Sequence, residues 1–575
     1  MPEESQVRAF YAGKNIFITG GTGFVGICLV DKILRCIPEI GKVYLLMRPK
    51  KNKEISDRLQ ELTKNSIFEK LLEITSPDIF KKLVPVAGDV GEENLGLSAQ
   101  DRQILIDNVN VVIHSAATLD FGETLRKTVE INLLGTRRVM DLCKEIKNLK
   151  VMVQVSSAYV NSYLKEVHEK VYEAPEDVNN VLSLVDTLND ESLQQVETKL
   201  LGSHPNNYTF TKHLAEHEVV KYSDSFPCTI VRPTMIVASW KEPVPGWTCS
   251  KVGPQGFIMG AAKGVVRRLP VVKENVADYI PVDVVVNELL VAGYNAAKTT
   301  SGLTVFHCSS STQKPFTWGA VEEQVNAFLH EYPSKGAVWY PHLKLVSSLW
   351  LFKLSAIFIH FIPAILLDMV LRLTGGRPIL FRLHKNVWSS LGRLRKFIFN
   401  QWRFYNTNTM ELAATLNETD SKLFYIDIGE IDASSKRPEG TGVPTARRSG
   451  TLPGYPRRNK TQSVLRGAAD KSAAQAESSY LSNIEHRAVR EYFVKKGKTP
   501  KEIFEDMVSV LQESVLSYTM VKKWARLFQQ GRESCEDDSR PGRPVTVVTE
   551  EIVRKIEKLV LADRRIKLWQ IAEEL

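Results

Sequence analysis

The stretch that decides the fold reads Thr19-Gly20-Gly21-Thr22-Gly23-Phe24-Val25-Gly26. The apolar run Asn15-Ile16-Phe17-Ile18 precedes it and suits a buried strand, whereas residues 27–34 follow it with helical spacing. Gly20, Gly23 and Gly26 therefore lie on a strand-to-helix turn, where this glycine spacing is typical of dinucleotide binding. The first glycine makes the turn, the second admits a pyrophosphate, and the third lets the helix pack on the strand. We expect the stretch to bind a dinucleotide at the helix N-terminus; the alternative is a glycine-rich turn without a ligand.

A basic turn after the second predicted strand indicates which dinucleotide is preferred. The strand Lys42-Val43-Tyr44-Leu45-Leu46-Met47 ends in Arg48-Pro49-Lys50-Lys51. In such sites an acidic residue binds the ribose 2′-hydroxyl of NAD, whereas a cation accommodates the 2′-phosphate of NADP. No Asp or Glu occurs from residue 43 to residue 53. We predict that Arg48 and Lys50 favour NADPH; the alternative is a solvated basic loop.

Strand-like and helical segments continue to alternate beyond this turn. This pattern predicts an α/β protein with a Rossmann-like, doubly wound parallel sheet, because parallel strands need crossover connections. Ligands then lie beyond the carboxyl ends of the strands. One predicted strand ends at Asp89 and the next at His114-Ser115-Ala116-Ala117. We expect Asp89 near the adenine and Ser115, Ala116 and Ala117 beside the cofactor, although turn chemistry alone would explain either segment.

A tyrosine and a lysine four residues apart are candidates for acid–base catalysis. In Tyr208-Thr209-Phe210-Thr211-Lys212 the spacing places Tyr208 and Lys212 on one helix face. A lysine ammonium beside a phenol favours the phenolate and lowers its pKa from about 10, as a proton donor near neutral pH requires. The preceding strand ends in Ser156-Ser157, whose hydroxyls suit a substrate carbonyl. We predict that Ser157, Tyr208 and Lys212 are catalytic, although any helix can carry this spacing by chance.

The order of these motifs resembles the extended short-chain dehydrogenases/reductases. Residues 10–432 resemble the fatty acyl-CoA reductases more narrowly, through Gly88-Asp89-Val90, Val231-Arg232-Pro233, Gly253-Pro254-Gln255-Gly256-Phe257 and Ala277-Asp278-Tyr279-Ile280-Pro281-Val282-Asp283. That family usually has Ser-Thr where this chain has Ser156-Ser157, so a hydroxyl is kept. Residues 10–300 are then the NADP-binding reductase domain.

The resemblance to fatty acyl-CoA reductases implies an activity and residue roles. The expected reaction is the NADPH-dependent reduction of a long-chain fatty acyl-CoA to a primary fatty alcohol, with release of CoA. Ser157 would hold the carbonyl oxygen, Tyr208 would donate the proton, and Lys212 would hold the nicotinamide ribose. Val90 and Pro233 would join the cofactor-binding residues. Reduction of a sterol, an aldehyde or a sugar nucleotide by a related reductase is the alternative.

Residues 301–432 resemble the helical C-terminal sterile domain of the same family. The matching segments include His307-Cys308-Ser309-Ser310, Arg382-Leu383-His384-Lys385 and Trp402-Arg403-Phe404-Tyr405-Asn406. Between them, the apolar stretch 343–373 is long enough to cross a bilayer, for which about 20 residues suffice. Lys353, Asp368 and Arg372 interrupt it and Pro363 is expected to kink it. An interfacial or re-entrant hairpin, a true span and a soluble acyl-tunnel lining remain open.

Composition leaves several partner classes open. The net charge of +9 suits anionic substrates, a membrane surface or nucleic acid. The 7 cysteines have no paired spacing, which favours reduced thiols and argues against a zinc site, so we expect no metal. The N-terminus lacks a signal-peptide pattern. We expect a cytosol-facing protein associated with a membrane or lipid-droplet surface, at the peroxisome or the endoplasmic reticulum.

The pattern changes after residue 432. Residues 433–478 are rich in Ser, Gly, Pro, Arg, Lys and Ala, which predicts a disordered linker. Residues 479–575 predict three short helices, the third carrying Lys522, Lys523, Trp524 and Arg526, and thus a helix-turn-helix. The following Arg540-Pro541-Gly542-Arg543-Pro544 suits a narrow minor groove.

This tail resembles the N-terminal DNA-binding half of mariner-type transposases. The resemblance rests on His486-Arg487-Ala488-Val489, Lys498-Thr499-Pro500-Lys501-Glu502-Ile503, Val521-Lys522-Lys523-Trp524 and Asp563-Arg564-Arg565. The match ends inside a second helix-turn-helix, before the catalytic domain, so we expect no transposition chemistry. The tail either binds DNA or is a passively fused mobile-element fragment or a mis-joined gene model. An inert reductase with a DNA-binding tail is the alternative to an active enzyme.

Overall fold

A computed structural model of the chain describes residues 3–49, 53–332, 334, 337–373 and 375–429. Lys50, the predicted linker 433–478 and the predicted helix-turn-helix region 479–575 lie outside the described residues. The described part belongs to one compact unit, Met1–Gly440.

Seven parallel strands form the central sheet. They are β1 (Ile16–Thr19), β2 (Val43–Met47), β3 (Leu83–Ala87), β4 (Val111–His114), β5 (Val151–Val155), β6 (Pro227–Pro233) and β7 (Gly302–Cys308). Their spatial order is β7-β6-β5-β4-β1-β2-β3, and each neighbouring pair is parallel. The order reverses between β1 and β4, which is where a doubly wound sheet binds its ligand. The predicted Rossmann-like fold is confirmed.

Helices on both faces bury the sheet and explain its apolar strands. The strands β1, β2, β4, β5 and β6 are buried along their whole length. Ile16 and Ile18 point into one core, and Phe17 between them points into the other, as the two-residue period of a strand requires. The first core includes the helices Phe24–Cys36 and Val282–Ala296, and the second includes the helix Gly135–Glu145.

The remaining elements connect and cover this sheet. The other α-helices are Gln6–Tyr11, Ile55–Thr63, Glu69–Ile74, Ala99–Asn108, Leu125–Thr128, Val178–Thr187, Asp190–Leu201, Asn207–Tyr222, Gly253–Ala262, Trp318–Glu331, Leu349–Ala356, Ile362–Leu373, Leu380–Arg393, Arg395–Phe399, Thr407–Ala414 and Glu418–Leu423. Two π-helical segments are Val129–Leu134 and Ile357–Phe361. Three short parallel strand pairs are Met235–Val237 with Tyr279–Pro281, Arg268–Leu269 with Lys344–Leu345, and Glu166–Val167 with Arg403–Phe404.

The region after residue 300 shares the reductase core. Strand β7 completes the sheet beside β6, and Phe424, Tyr425 and Ile426 pack into the core that contains β1. The sheet and its core therefore extend past residue 300, the predicted end of the reductase domain. Most of the described residues between β7 and residue 429 are helical, as predicted for residues 301–432.

Most of the apolar stretch forms one continuous helix, Leu349–Leu373, which is long and apolar enough to cross a membrane and is largely unburied. A hairpin within residues 349–373, one of the three open alternatives, is therefore wrong. Pro363 lies in the second position after the π-helical segment Ile357–Phe361, and the helix continues through it. A π-helical turn locally changes the i→i+4 hydrogen-bond pattern, which proline cannot complete because it lacks an N–H.

Candidate active site

The glycine turn is packed against the loop that follows β4. Gly20 has φ +74°, a conformation that favours glycine, and a Cβ there would lie 2.7 Å from the Ala116 nitrogen. A Cβ on Gly26 would lie 2.2 Å from the Gly20 oxygen. The helix begins at Phe24, and its N-cap Gly23 has no side chain to occupy the first N–H groups. This cradle fits the pyrophosphate of a dinucleotide.

The predicted residues of the turn differ in accessibility. Gly21 and Gly26 are buried and support the turn, whereas Thr22 and Gly23 are exposed. Phe24 and Val25 are half-buried at the start of the helix. The middle of the turn is therefore the part that a phosphate can reach.

A chain of hydrogen bonds connects the glycine turn to the helix Gly135–Glu145. The Thr136 hydroxyl donates to the Asn132 carbonyl (2.7 Å), so His114 Nε2 donates to Thr136 (3.2 Å). The other ring nitrogen, Nδ1, then accepts from the Thr19 hydroxyl (2.6 Å), which itself accepts the Ala116 N–H (3.2 Å). Burial lowers the pKa of His114 to about 3, which keeps the ring neutral as this chain requires. Sequence reasoning placed His114 only at a strand end.

The other predicted cofactor residues lie at the carboxyl ends of their strands. Ser115, Ala116 and Ala117 are half-buried after β4. The Asp89 carboxylate accepts the Gly91 N–H (3.0 Å), so its side chain also shapes the turn after β3. Val90 is buried, and Pro233 ends β6.

Arg48 is exposed after β2, in the position predicted for a 2′-phosphate contact. Its backbone carbonyl accepts a hydrogen bond from the Arg58 guanidinium. Arg58 lies in the helix Ile55–Thr63. It was not predicted as a site residue, because its position beside the end of β2 depends on how this helix packs in the folded chain. Two guanidinium groups therefore belong to this corner of the site.

Ser157 and Tyr208 are brought together by the start of the helix Asn207–Tyr222. Burial raises the pKa of Tyr208 to about 12, although a hydrogen bond with Ser157 opposes the shift. The predicted lowering of this pKa by Lys212 is therefore wrong in this geometry, because loss of solvation on burial is the dominant cause of the shift. Tyr208 remains a protonated donor throughout the physiological range.

Lys212 lies one turn further along the same helix and is almost fully buried. Its Nζ donates to the carbonyl oxygen of Val155 at the end of β5 (2.7 Å). Burial lowers the pKa of Lys212 to about 8, and the charge of Glu216 opposes that shift. The structure thus places all three predicted catalytic residues around the carboxyl end of β5.

The two adjacent serines have different partners. The Ser156 hydroxyl donates to Glu216 (2.6 Å), whose two carboxylate oxygens accept from Arg232 at 2.8 and 2.6 Å. The Glu216 and Arg232 side chains are both 0% exposed. Burial raises the pKa of Glu216, but the charge of Arg232 and the hydrogen bonds from Arg232 and Ser156 outweigh it, leaving that pKa below its usual value. Ser156 therefore supports a buried ion pair, and Ser157 is the serine that faces Tyr208.

The ion pair continues into the C-terminal region. His307, on β7, contacts the Tyr405 carbonyl through Nδ1 (2.7 Å) and Arg232 through Nε2 (3.2 Å). Because a carbonyl only accepts, Nδ1 carries the proton and Nε2 accepts from the guanidinium. Burial lowers the pKa of His307 to about 3, so the ring is neutral.

The described residues offer this site no clustered metal ligands and no disulfide. Within the described residues, no group of three or more His, Cys, Asp or Glu side chains could hold a metal ion. The described cysteines are free thiols, and of these only Cys249 is exposed.

Comparison with known proteins places this geometry in a family. Two family models, each described as Male sterility protein, match residues 18–289 and 359–435; the first is an NAD-binding model. The Drosophila melanogaster protein CG8306, whose name assigns it to the fatty acyl-CoA reductases, is 57% identical over 434 residues, covering 74% of this chain and 84% of that protein. The chain belongs to the fatty acyl-CoA reductase family. Fatty acyl-CoA reductase 1 of Homo sapiens is 34% identical over 426 residues, covering 74% of this chain and 82% of that protein.

A solved structure is similar at lower identity. The terminal R domain from the myxalamid biosynthetic pathway is 19% identical with a TM-score of 0.47, covering 70% of this chain and 85% of that domain. The order and direction of the seven strands define the fold independently of that likeness. Family membership supports a nicotinamide cofactor and an oxidoreductase site.

Proposed function

We propose that this chain reduces long-chain fatty acyl-CoA to primary fatty alcohol with NADPH and releases CoA. The observation that carries the proposal is that Ser157, Tyr208 and Lys212, which lies one helical turn after Tyr208, converge around the carboxyl end of β5. Two hydroxyl donors that converge at the carboxyl end of a strand suit a carbonyl oxygen that becomes negatively charged during the reaction. The names of the relatives supply the thioester substrate.

Each residue then has a defined task. The nicotinamide, when bound, supplies the hydride that reduces the thioester carbonyl. Ser157 and Tyr208 donate hydrogen bonds to the carbonyl oxygen, and these bonds strengthen as charge develops there. Lys212 holds the ribose and places its positive charge beside Tyr208. Cleavage of the C–S bond returns the oxygen to a carbonyl and expels CoA as a thiolate, which takes up a proton from solvent. In a second reduction, which needs a second hydride from NADPH, Tyr208 donates its proton to the aldehyde oxygen and gives the alcohol.

Arg48 supports the choice of NADPH over NADH. Its guanidinium is exposed at the end of β2, and Arg58 reaches back to the same turn. Guanidinium groups bind phosphate through charge-assisted hydrogen bonds. We therefore assign the 2′-phosphate to this corner, together with Lys50, which lies outside the described residues.

The helix from Leu349 to Leu373 supports attachment to a membrane surface. One face, with Phe352, Ala356, His360, Ala364 and Asp368, is buried against the protein along the whole helix. Large apolar side chains are exposed on the remaining surface: Trp350, Leu354, Phe358, Ile362, Leu366, Met369 and Leu373. A helix that packs through one face from Phe352 to Asp368 suits a position in the membrane interface better than a crossing. We propose a cytosol-facing peripheral attachment to a peroxisomal, endoplasmic-reticulum or lipid-droplet surface.

Turnover of palmitoyl-CoA with NADPH tests the enzymatic proposal. Mass spectrometry should identify hexadecanol, and Tyr208→Phe should lower kcat at least about 100-fold because it removes the proton donor. Equal rates for the two proteins would overturn the role of Tyr208. Turnover of a sterol or a sugar nucleotide without thioester turnover would favour the alternative reductase.

DNA binding by residues 479–575 is a separate proposal from their sequence alone. The full chain should bind duplex DNA with an affinity that falls steeply with salt, because phosphate contacts release counterions. Lys522→Ala with Lys523→Ala should weaken that binding. The absence of binding at low salt would leave the tail as a passive fusion.

A further inference from the structure

An aromatic pair beside Tyr208 joins the reductase site to the C-terminal region. Phe121, in the loop after β4, lies with its ring centroid 5.6 Å from that of Tyr208. Phe397, from the helix Arg395–Phe399, stacks on Phe121 at 5.7 Å with an interplanar angle of 22°. The C-terminal region therefore reaches the immediate surroundings of the proton donor.

The same pair also reaches the serine side of the site. Phe397 meets Tyr159 edge to face, with centroids 5.3 Å apart and an angle of 84°. Tyr159 lies two residues after Ser157, and its N–H donates to the Ser157 hydroxyl (3.3 Å). Of the two groups assigned to the carbonyl oxygen, Tyr208 therefore contacts this pair directly and Ser157 is connected to it through Tyr159.

Burial distinguishes the pair from the aromatic side chains behind it. Tyr159 and Phe404 are buried, and their rings pack edge to face at 5.3 Å. Phe121 and Phe397 are only half-buried. The half-buried rings of this cluster are therefore Phe121, Phe397 and Trp402, and of these Phe121 contacts Tyr208 and stacks on Phe397, whereas the buried rings support them.

We propose that Phe121 and Phe397 form the wall that contacts the first carbons of the acyl chain and positions the thioester carbonyl at Ser157 and Tyr208. The inference rests on the proposed function, because it requires an acyl thioester as substrate. An aromatic surface beside the carbonyl stabilises an apolar chain by burial and excludes a branch at the carbon next to the carbonyl. Phe397 thus makes the C-terminal region a determinant of substrate shape.

The substitution Phe397→Ala tests this role with two substrates. With palmitoyl-CoA, kcat/KM should fall about tenfold, as expected when an apolar pocket loses a contact. With 2-methylpalmitoyl-CoA, the rate relative to palmitoyl-CoA should rise, because the branch fits where the ring was. Phe397→Leu, which keeps apolar bulk, should restore most of the wild-type preference. Phe121→Ala should change the same preference from the opposite side.

Phe399→Ala is the matched control. Phe399 lies on the same helix but packs into the separate C-terminal cluster with Leu391 and Ile398. It should leave the branched-to-straight preference unchanged. Suppose that wild type reduces palmitoyl-CoA. The inference is then overturned if the branched-to-straight preference of Phe397→Ala equals that of wild type and of Phe399→Ala. If wild type reduces neither thioester, the proposed function fails and the inference fails with it. A change in melting temperature without a change in preference would assign Phe397 a purely structural role.

Discussion

The glycine turn and the helix Asn207–Tyr222 serve one site by opposite means. In the turn, function depends on missing side chains, since Gly20 and Gly26 leave no room for a Cβ beside the backbone. In the helix, function depends on buried polar side chains, each held by a partner such as the Val155 carbonyl or Arg232. Adding atoms should therefore damage the first region, whereas removing atoms should damage the second.

The largest expected effect comes from adding one methyl group to the turn. Gly26→Ala places a Cβ against the backbone of Gly20 and Gly21, which cannot move aside as a side chain would. We expect NADPH binding to be lost and the free energy of unfolding to fall by about 1–3 kcal/mol, as for other overpacked sites. Fluorescence titration with NADPH and thermal unfolding measure the two effects.

The same substitution at Gly392 is the control. A Cβ there would meet no atom within 4 Å, and Gly392 lies in the helix Leu380–Arg393. Gly392→Ala should bind NADPH normally. Wild-type NADPH affinity in Gly26→Ala would contradict the assignment of this turn to the cofactor.

The adjacent serines provide the sharpest test within the catalytic region. Ser157→Ala removes a donor to the carbonyl oxygen and should lower kcat about 100-fold, as for other oxyanion donors. Ser156→Ala removes a hydrogen bond to the buried Glu216 carboxylate and should mainly reduce stability, by about 1–3 kcal/mol. Steady-state kinetics and denaturant unfolding on both variants separate the roles. A greater loss of kcat in Ser156→Ala would reverse the assignment.

The pH dependence tests the burial of Lys212. Because its pKa is lowered to about 8, the ammonium is present below pH 8 and is lost as the pH rises through that value. We expect kcat/KM to fall about tenfold between pH 7 and pH 9, whereas a lysine of ordinary pKa, about 10.4, would keep its charge. Tyr208, with a pKa of about 12, stays protonated over this range.

The contribution of Lys212 to the free energy of unfolding should rise over the same pH range in which kcat/KM falls. The unfolded chain keeps the Lys212 proton to about pH 10.4, so it binds more protons than the folded chain above pH 8. The contribution of this group to stability therefore rises with pH, and lost activity would not reflect unfolding at Lys212. Lys212→Arg, which remains charged, should remove the fall in kcat/KM. A fall that persists in this variant would assign it to another group.

Local patterns predicted the parts of the site that are local in sequence. The turn 19–26 and the spacing of Tyr208 and Lys212 follow from one strand, one turn and one helix, and the sheet places them as expected. Ser156 and Ser157 are chemically equal in the sequence, and only the position of Glu216 and Arg232 distinguishes them. Neighbouring residues of a strand point to opposite faces, but what each face contains depends on distant elements.

The missed residues share that dependence on distant elements. Phe397 contacts Phe121 only because the C-terminal region packs on the reductase site. Arg58 contacts the Arg48 carbonyl because the helix Ile55–Thr63 packs beside the end of β2. The predicted lowering of the Tyr208 pKa was wrong because the motif shows the nearby Lys212 but not the burial of the phenol, which raises that pKa. Burial is a property of the whole fold, so a motif alone does not determine the pKa of its members.

The smallest expected effect concerns Arg48. Its side chain is exposed, unlike the buried side chains of the helix Asn207–Tyr222. Solvent screens an exposed charge, so Arg48→Glu should lower kcat/KM for NADPH by only about fivefold. The same change should raise kcat/KM for NADH, because a carboxylate can accept from the ribose 2′-hydroxyl that NADH carries. Lys42→Glu makes the same charge change beside the amino end of β2 and should leave the NADPH-to-NADH ratio unaltered. An equal change of the ratio in both variants would indicate a general electrostatic effect, and an unchanged ratio in Arg48→Glu would remove Arg48 from the cofactor site.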